Sequence, residues 1–176
     1  MTDPDLQRLR NAVRDVPDFP KPGIIFKDIT PILADAALFG LAIDTFVHAA
    51  SEHRPDKIVG IDARGFLFGA AVAYAMKVGF VPVRKKGKLP FRCQSAEYQL
   101  EYGESIVEMH TDALRPGERV VLIDDLLATG GTAAAAVRLI SQMGAHLAEA
   151  QFLIELDFLH GRKNLQSVPI RALLTL

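Results

Sequence analysis

The sequence predicts an α/β fold, a mostly parallel central sheet flanked by helices, and three observations lead there. Short apolar runs at 57–61, 80–83, 120–123, 150–154 and 170–174 are bounded by loop signals, as strands buried on both faces should be. Between them lie stretches with helical spacing or a small-residue, helix-forming composition, so strands and helices alternate and right-handed crossovers follow. Two of the runs, 57–61 and 120–123, lead straight into loops that open with aspartate. Ligands of open α/β sheets bind at that edge.

The elements follow in order. Leu6, Leu9 and Val13 place an apolar stripe on a short first helix. A proline-punctuated stretch from Pro17 to Pro31 comes next, interrupted by Ile24, Ile25 and Phe26. Phe39, Ile43, Phe46, Val47 and Ala50 recur at helical spacing behind Asp35 as N-cap, and Pro55 closes that helix. After strand 57–61 and loop 62–65, a small-residue helix runs from 66 to about 77 and a strand covers 80–83. From 84 to 97 periodicity disappears, and Arg84, Lys85, Lys86, Lys88 and Arg92 make the segment basic. Tyr98, Leu100 and Tyr102 alternate with polar residues, turn at Gly103 and meet 106–109 as a hairpin. A turn spans 112–118. The strand, loop and helix of 119–143 close on Gly144 as C′ residue before the last two strands.

The 176 residues suit one domain with a sizeable core, and no internal repeat or low-complexity segment interrupts them. Lys and Arg number 20 against 21 acids, for a net charge of −1, which gives no support to nucleic-acid or membrane-surface binding. The single Cys93 excludes an internal disulfide and a Cys-based zinc cluster, and it suits a reducing compartment. The acidic start Met1-Thr2-Asp3-Pro4-Asp5 is unlike a secretory or transit peptide, and no apolar run approaches the ~20 residues that span a bilayer. A cytoplasmic protein is expected. The five histidines lack metal-ligand spacing, and no Ser/His/Asp arrangement suggests hydrolysis.

The strongest signal is 120–132, Val-Val-Leu-Ile-Asp-Asp-Leu-Leu-Ala-Thr-Gly-Gly-Thr. Small residues let the N–H groups of Ala128 to Thr132 converge, and the following helix adds its positive end, which makes a phosphate cradle. Asp124 and Asp125 beside it suit sugar hydroxyls, which donate hydrogen bonds, or a Mg²⁺ holding them through water. A triphosphate P-loop is excluded because Gly87-Lys88 is followed by Leu89, and no Gly-x-Gly-x-x-Gly supports a dinucleotide. Loop 62–65, Asp-Ala-Arg-Gly, offers the forked guanidinium of Arg64 to an anion. In 19–31 the prolines stiffen an irregular segment, and Phe26 offers a stacking face.

The 124–132 segment resembles the phosphoribosyl-diphosphate (PRPP) motif of the type I phosphoribosyltransferases. The run 19–31, with 65–69, 84–90 and 100–103, resembles the adenine phosphoribosyltransferases, in order and without large gaps from about Leu6 to the last strand. The resemblance implies the type I phosphoribosyltransferase fold over a single domain, 1–176. About 1–32 would be an N-terminal helix and base-binding hood, and about 84–110 a mobile loop and hairpin. It implies purine salvage, adenine plus PRPP giving AMP and diphosphate, with Mg²⁺ and as a homodimer. Asp124 and Asp125 would hold the ribose hydroxyls, and Ala128, Thr129, Gly130, Gly131 and Thr132 the 5′-phosphate. Asp62, Ala63, Arg64, Arg84, Lys85, Lys88 and Tyr102 would bind diphosphate, in a loop 62–64 that often holds a non-proline cis peptide. Ile25 and Lys27 would offer backbone groups to adenine, with Phe26 stacking on it and Leu127 near it. Glu101 would handle the proton, beside Arg64 and the two aspartates as catalytic groups. The segment 91–97 and Ala63 depart from the family pattern. Another purine base (hypoxanthine, guanine or xanthine) and a non-catalytic PRPP-sensing regulator are the alternative readings.

Overall fold

The computed structural model describes residues 3–99 and 104–176, which form two compact units, 1–45 and 46–176. In the first, α1 (Asp3–Ala12) buries Leu9 completely. β1 (Arg14–Pro17) and β2 (Ile25–Asp28) pair antiparallel, with Arg14 opposite Asp28 and Pro17 opposite Ile25. Salt bridges lock that register: Arg14 Nη2 lies 2.6 Å from Asp28 Oδ2, and Lys27 Nζ lies 2.7 Å from Asp15 Oδ1. The proline-rich segment expected to be irregular throughout is therefore partly a hairpin. Its strands are four residues long and bury no residue fully, so no apolar alternation marks them in the sequence. α2 (Thr30–Ala34) follows, with Pro31 in its first turn. Asp28 prepares that start by accepting the Thr30 N–H at 2.9 Å. This bond, with the Arg14 guanidinium, holds the Asp28 carboxyl below its ordinary pKa. At α3 (Ala36–Ser51), Asp35 Oδ1 accepts the N–H groups of Ala37 and Leu38, so the expected N-cap is present.

The second unit holds β3 (Lys57–Ile61), α4 (Gly65–Met76), β4 (Gly79–Lys85), β5 (Cys93–Gln99) and β6 (Glu104–His110). After these come β7 (Arg119–Leu127), α5 (Gly131–Gln142), β8 (His146–Glu155) and β9 (Ile170–Thr175). Two 3-10 turns, Asp157–Leu159 and Gly161–Leu165, connect the last two strands. The seven strands lie in the order β5-β6-β4-β3-β7-β8-β9. β4, β3, β7, β8 and β9 are parallel, while β6 and β5 add an antiparallel extension. The expected mostly parallel sheet is present. Its centre is apolar: Val59, Val120, Val121, Leu122, Ile123, Phe152 and Leu153 have no exposed surface. Alanines 133, 135 and 136 with Leu139 and Ile140 supply the buried face of α5.

Between 84 and 97 the fold differs from the sequence expectation. Arg84 and Lys85 belong to β4, opposite Glu108 and Val107 of β6. Cys93 to Gln99 pair with β6 along their whole length. β5 is an edge strand on which Ala96 is buried while Gln94, Ser95 and Glu97 are exposed. It gains its backbone bonds from β6 rather than from an apolar face, so periodicity had little to report.

Strand order also fixes where a ligand fits. From β3 the chain passes to β4 on one side, then returns at β7 on the other. That reversal opens a crevice beyond the carboxyl ends of β3 and β7. The pairing deepens it. β3 follows β7 only as far as Gly60 opposite Ile123, whereas β8 follows β7 to Leu127 opposite Glu155. Asp124 and Asp125 thus lie within the strand, not past its end, where the neighbour on one side has already left.

Candidate active site

Asp124 and Asp125 meet the β3 loop directly. Arg64 Nε donates to Asp125 Oδ2 in a short ion pair, and Asp125 is 6 % exposed. The Asp125 N–H donates to Asp124 Oδ1 at 2.9 Å. α4 begins against these acids because residue 65 is glycine: a β-carbon there would lie 2.7 Å from Asp124 Oδ1 and 2.9 Å from the Ile123 carbonyl. Loss of water and the neighbouring Asp125 carboxylate push the Asp124 carboxyl well above its ordinary pKa, against the opposing pull of the Asp125 N–H and Arg64. The peptide joining Asp62 and Ala63 is cis, the conformation the resemblance implies for this loop.

Two cavities meet here. One, of about 240 Å³, is lined by Ile61, Asp62, Ala63, Arg64, Lys85 and Tyr98 from one side, and by Asp124, Asp125, Leu126 and Thr132 from the other. A second, of about 80 Å³, is lined by Asp124 and by residues 126–133 at the start of α5. Asp124, Leu126 and Thr132 line both. Gly130 turns the chain into α5 with φ 81°, and the first N–H groups of that helix have no carbonyl within it to meet. The smaller cavity thus has the amide donors that an anion would need, next to acids that favour hydroxyl donors.

Arg84 braces the wall of the larger cavity. Its Nε donates to Asp62 Oδ2 at 3.1 Å and its Nη1 to the Lys88 carbonyl at 3.0 Å. Lys85 lines the cavity, while Lys88 is exposed in the turn after β4. Glu108, 8 % exposed, holds that turn by accepting the Gly87 N–H at 2.9 Å. Glu101 and Tyr102 lie outside the described residues. Ile25, Phe26 and Lys27 belong to the first unit, where Phe26 packs edge-on against Phe19 and Ile25 is 56 % exposed.

Leu127 ends β7 and is 1 % exposed, lining only the smaller cavity. Leu126 lines both and was not singled out from the sequence. Strand alternation was the available signal, because Asp124 and Leu126 are two apart on one face of β7. Tyr98 was likewise read as a hairpin residue alone. A third group had no local signal. Gly161 packs its carbonyl against Gly130, and Asn164 Nδ2 donates to the Thr129 carbonyl at 2.7 Å. Arg162 makes two 2.7 Å bonds to Glu155, whose side chain is 4 % exposed. That carboxylate raises the Arg162 pKa further.

Residues 33–172 match the family model of the phosphoribosyl transferase domain. The adenine phosphoribosyltransferase of Nitrosococcus oceani is 52 % identical over 168 residues, covering 96 % of this chain and 98 % of that protein. The chain belongs to the adenine phosphoribosyltransferase family. Its relative from Acidothermus cellulolyticus is 54 % identical over 92 % of each chain. The crystal structure of the family member from Rhodothermus marinus superposes with a TM-score of 0.95 at 49 % identity, over 99 % of this chain and 100 % of that one. The Saccharomyces cerevisiae member, solved with an imino-altritol bisphosphate and adenine, gives a TM-score of 0.93 at 44 % identity, over 98 % and 99 %. The type I phosphoribosyltransferase fold expected from the sequence is the fold found.

Proposed function

We propose that this enzyme transfers the phosphoribosyl group of PRPP to adenine, giving AMP and diphosphate, with the two joined cavities as its donor site. Family membership supports the reaction and the base. The observation that supports these residue roles is the junction itself: an amide-lined cavity and an arginine-lined cavity share Asp124, Leu126 and Thr132. A ribose with phosphate at one end and diphosphate at the other suits that shape. In this reading residues 128–132 bind the 5′-phosphate, and Asp124 and Asp125 take the ribose hydroxyls. Arg64, Lys85, Arg84 and Lys88 face the diphosphate with Asp62, Ala63 and Tyr102. In the same reading Ile25, Phe26 and Lys27 take adenine.

In the transfer an adenine nitrogen bonds to the anomeric carbon as the bond from that carbon to diphosphate oxygen breaks. The nitrogen's proton is then lost, with Glu101 as its acceptor. Positive charge builds on the ribose, as in glycoside cleavage, and the aspartates stabilise it. Arg64, paired with Asp125 through Nε in this structure, would bring its positive charge to the ribose acid and to the departing diphosphate alike. Orientation of the two substrates supplies much of the remaining rate.

Magnesium belongs to the same reading. Asp124 and Asp125 provide hard carboxylate oxygens, and no group of three or more His, Cys, Asp or Glu forms a metal cage among the described residues. Such a donor set suits an ion that keeps its waters and takes oxygens from the substrate, with the acids reaching it through water. When bound, it would neutralise charge on the departing diphosphate. A homodimer and a cytoplasmic location complete the proposal. Leu67 and Tyr74, 47 % and 77 % exposed, are seven residues apart on α4 and give a face for a second copy. No described helix is long and apolar enough to cross a membrane.

Purified protein supplied with PRPP, Mg²⁺ and one base at a time should form AMP from adenine and little nucleotide from hypoxanthine, guanine or xanthine. Equal turnover of a 6-oxopurine would sink the adenine assignment.

A further inference from the structure

We propose that Asn164 is a positioning residue for the 5′-phosphate loop, acting on the Gly130 N–H through the Thr129 carbonyl. The proposal rests on the donor-site reading above and adds to it a side chain that touches no substrate. Asn164 sits in the turn Gly161–Leu165, outside the 80 Å³ cavity, and donates Nδ2–H to the Thr129 carbonyl at 2.7 Å. In a trans peptide the carbonyl oxygen and the following N–H point in opposite directions. Holding the Thr129 oxygen outward therefore aims the Gly130 N–H inward, to the side where residues 126–133 line the anion cavity.

The constraint matters because this peptide plane is easily turned. Gly130 has φ 81° and no side chain to resist rotation. Beside it, the Gly161 carbonyl packs so closely that a β-carbon on Gly130 would collide with it. A β-carbon on Gly161 would collide in turn with the Ala128 carbonyl. The turn is anchored below by the paired Arg162 and Glu155 and by Leu165, 2 % exposed. Backing of this kind fixes the loop's position but not the rotation of the 129–130 peptide. Among the described contacts, Asn164 fixes the rotation.

Removing the donor should weaken phosphate capture and leave the rest of the reaction alone. In Asn164→Leu, KM for PRPP and Kd for ribose 5-phosphate (by calorimetry) should rise about fivefold, the worth of one neutral hydrogen bond. KM for adenine and kcat should stay within about twofold, since neither depends on that N–H. Asn164→Gln, which keeps the amide donor, should restore most of the loss. Asn164→Asp, which sets an acceptor against the carbonyl, should lose more than Leu. A merely structural role predicts a fall in Tm with both KM values and kcat moving together, and that pattern overturns the proposal. Unchanged ribose 5-phosphate affinity in both Asn164→Leu and Asn164→Asp overturns it too, and should Leu fail to fold, Asp carries the comparison. Wild-type protein that binds ribose 5-phosphate but forms no AMP would sink the transfer reaction instead, with the Asn164 comparison still decided by binding.

Discussion

Asp124 and Asp125 are successive residues of a strand, so their side chains start toward opposite faces, yet both line one cavity. The Asp125 N–H donated to Asp124 Oδ1 and the Arg64 guanidinium on Asp125 hold them there. Arg64 offsets one carboxylate; the other is left to gain a proton or a ligand. The folded-state pKa of Asp124 lies above its ordinary value of 3.8. Between those two values the folded chain carries a proton that the unfolded chain has lost, so stability falls as pH rises through the window. Asp124→Asn keeps the shape without the charge. It should raise Tm at neutral pH by roughly 2–4 °C, the response of a domain this size to about 1 kcal/mol. The gain should vanish below the ordinary carboxylate pKa, where wild-type Asp124 is protonated in both states. At the same time kcat/KM should fall by roughly 30-fold or more, because a charged acceptor for a ribose hydroxyl is lost. Thermal melts at several pH values and steady-state kinetics on one variant test both halves. A lower Tm at neutral pH would show that the charge is compensated and the sign wrong. The residues behind this prediction were legible in the sequence, since Asp-Asp before a Thr-Gly-Gly-Thr loop states its chemistry by type and spacing. Asn164 was not: its bond to Thr129 spans 35 positions, and an isolated asparagine carries no local pattern.

At the scale of elements, the loop 128–132, to which we assign the 5′-phosphate, is a layered object rather than a glycine turn. β7 delivers the acids, α5 the amides, and the 3-10 turn Gly161–Leu165 braces them from below. The brace depends on one buried charge. Glu155 is 3 % exposed at the end of β8 and takes both forked bonds of Arg162, whose Nη1 also reaches the Ile170 carbonyl at 3.2 Å. Arg162→Met should destabilise the fold by about 3 kcal/mol, because it leaves a carboxylate buried without its guanidinium. Denaturant unfolding measures this, and the double variant Arg162→Met with Glu155→Gln should recover part of the loss. No recovery would mean that Arg162 acts through packing alone. The parallel strands and the two main helices of this layer were readable because burial on both faces imprints apolar runs. β1, β2 and β5 were not, for the opposite reason: short or at the edge, they are held by backbone pairing and salt bridges that composition does not record. The placing of β7 beside β3, which creates the crevice, is a long-range pairing with no trace in either strand's own residues.

For the whole molecule, the proposed assignment puts donor and acceptor functions in different parts of the chain. Every described residue assigned to PRPP lies in 46–176, while Ile25, Phe26 and Lys27 lie in 1–45. A net charge of −1 gives no overall field to gather PRPP, so under this assignment its capture would depend on the local amides and basic side chains of the second unit. Adenine brings no charge and must be recognised by stacking and backbone bonds. The two affinities should then separate under mutation. Phe26→Ala removes a half-buried ring whose edge contact with Phe19, at a centroid distance of 5.2 Å, keeps it in place. Loss of an aromatic stacking partner costs about 1–3 kcal/mol per base, so KM for adenine should rise about tenfold or more. KM for PRPP and Kd for ribose 5-phosphate should remain near wild type, since the donor site keeps all its groups. The pattern is the mirror image of that expected for Asn164→Leu, so one assay set tests both ends of the substrate pair. If Phe26→Ala raised both KM values equally, Phe26 would be supporting the fold rather than the base. The acceptor site would then have to be sought among the groups lining the donor cavity, beginning with Leu126.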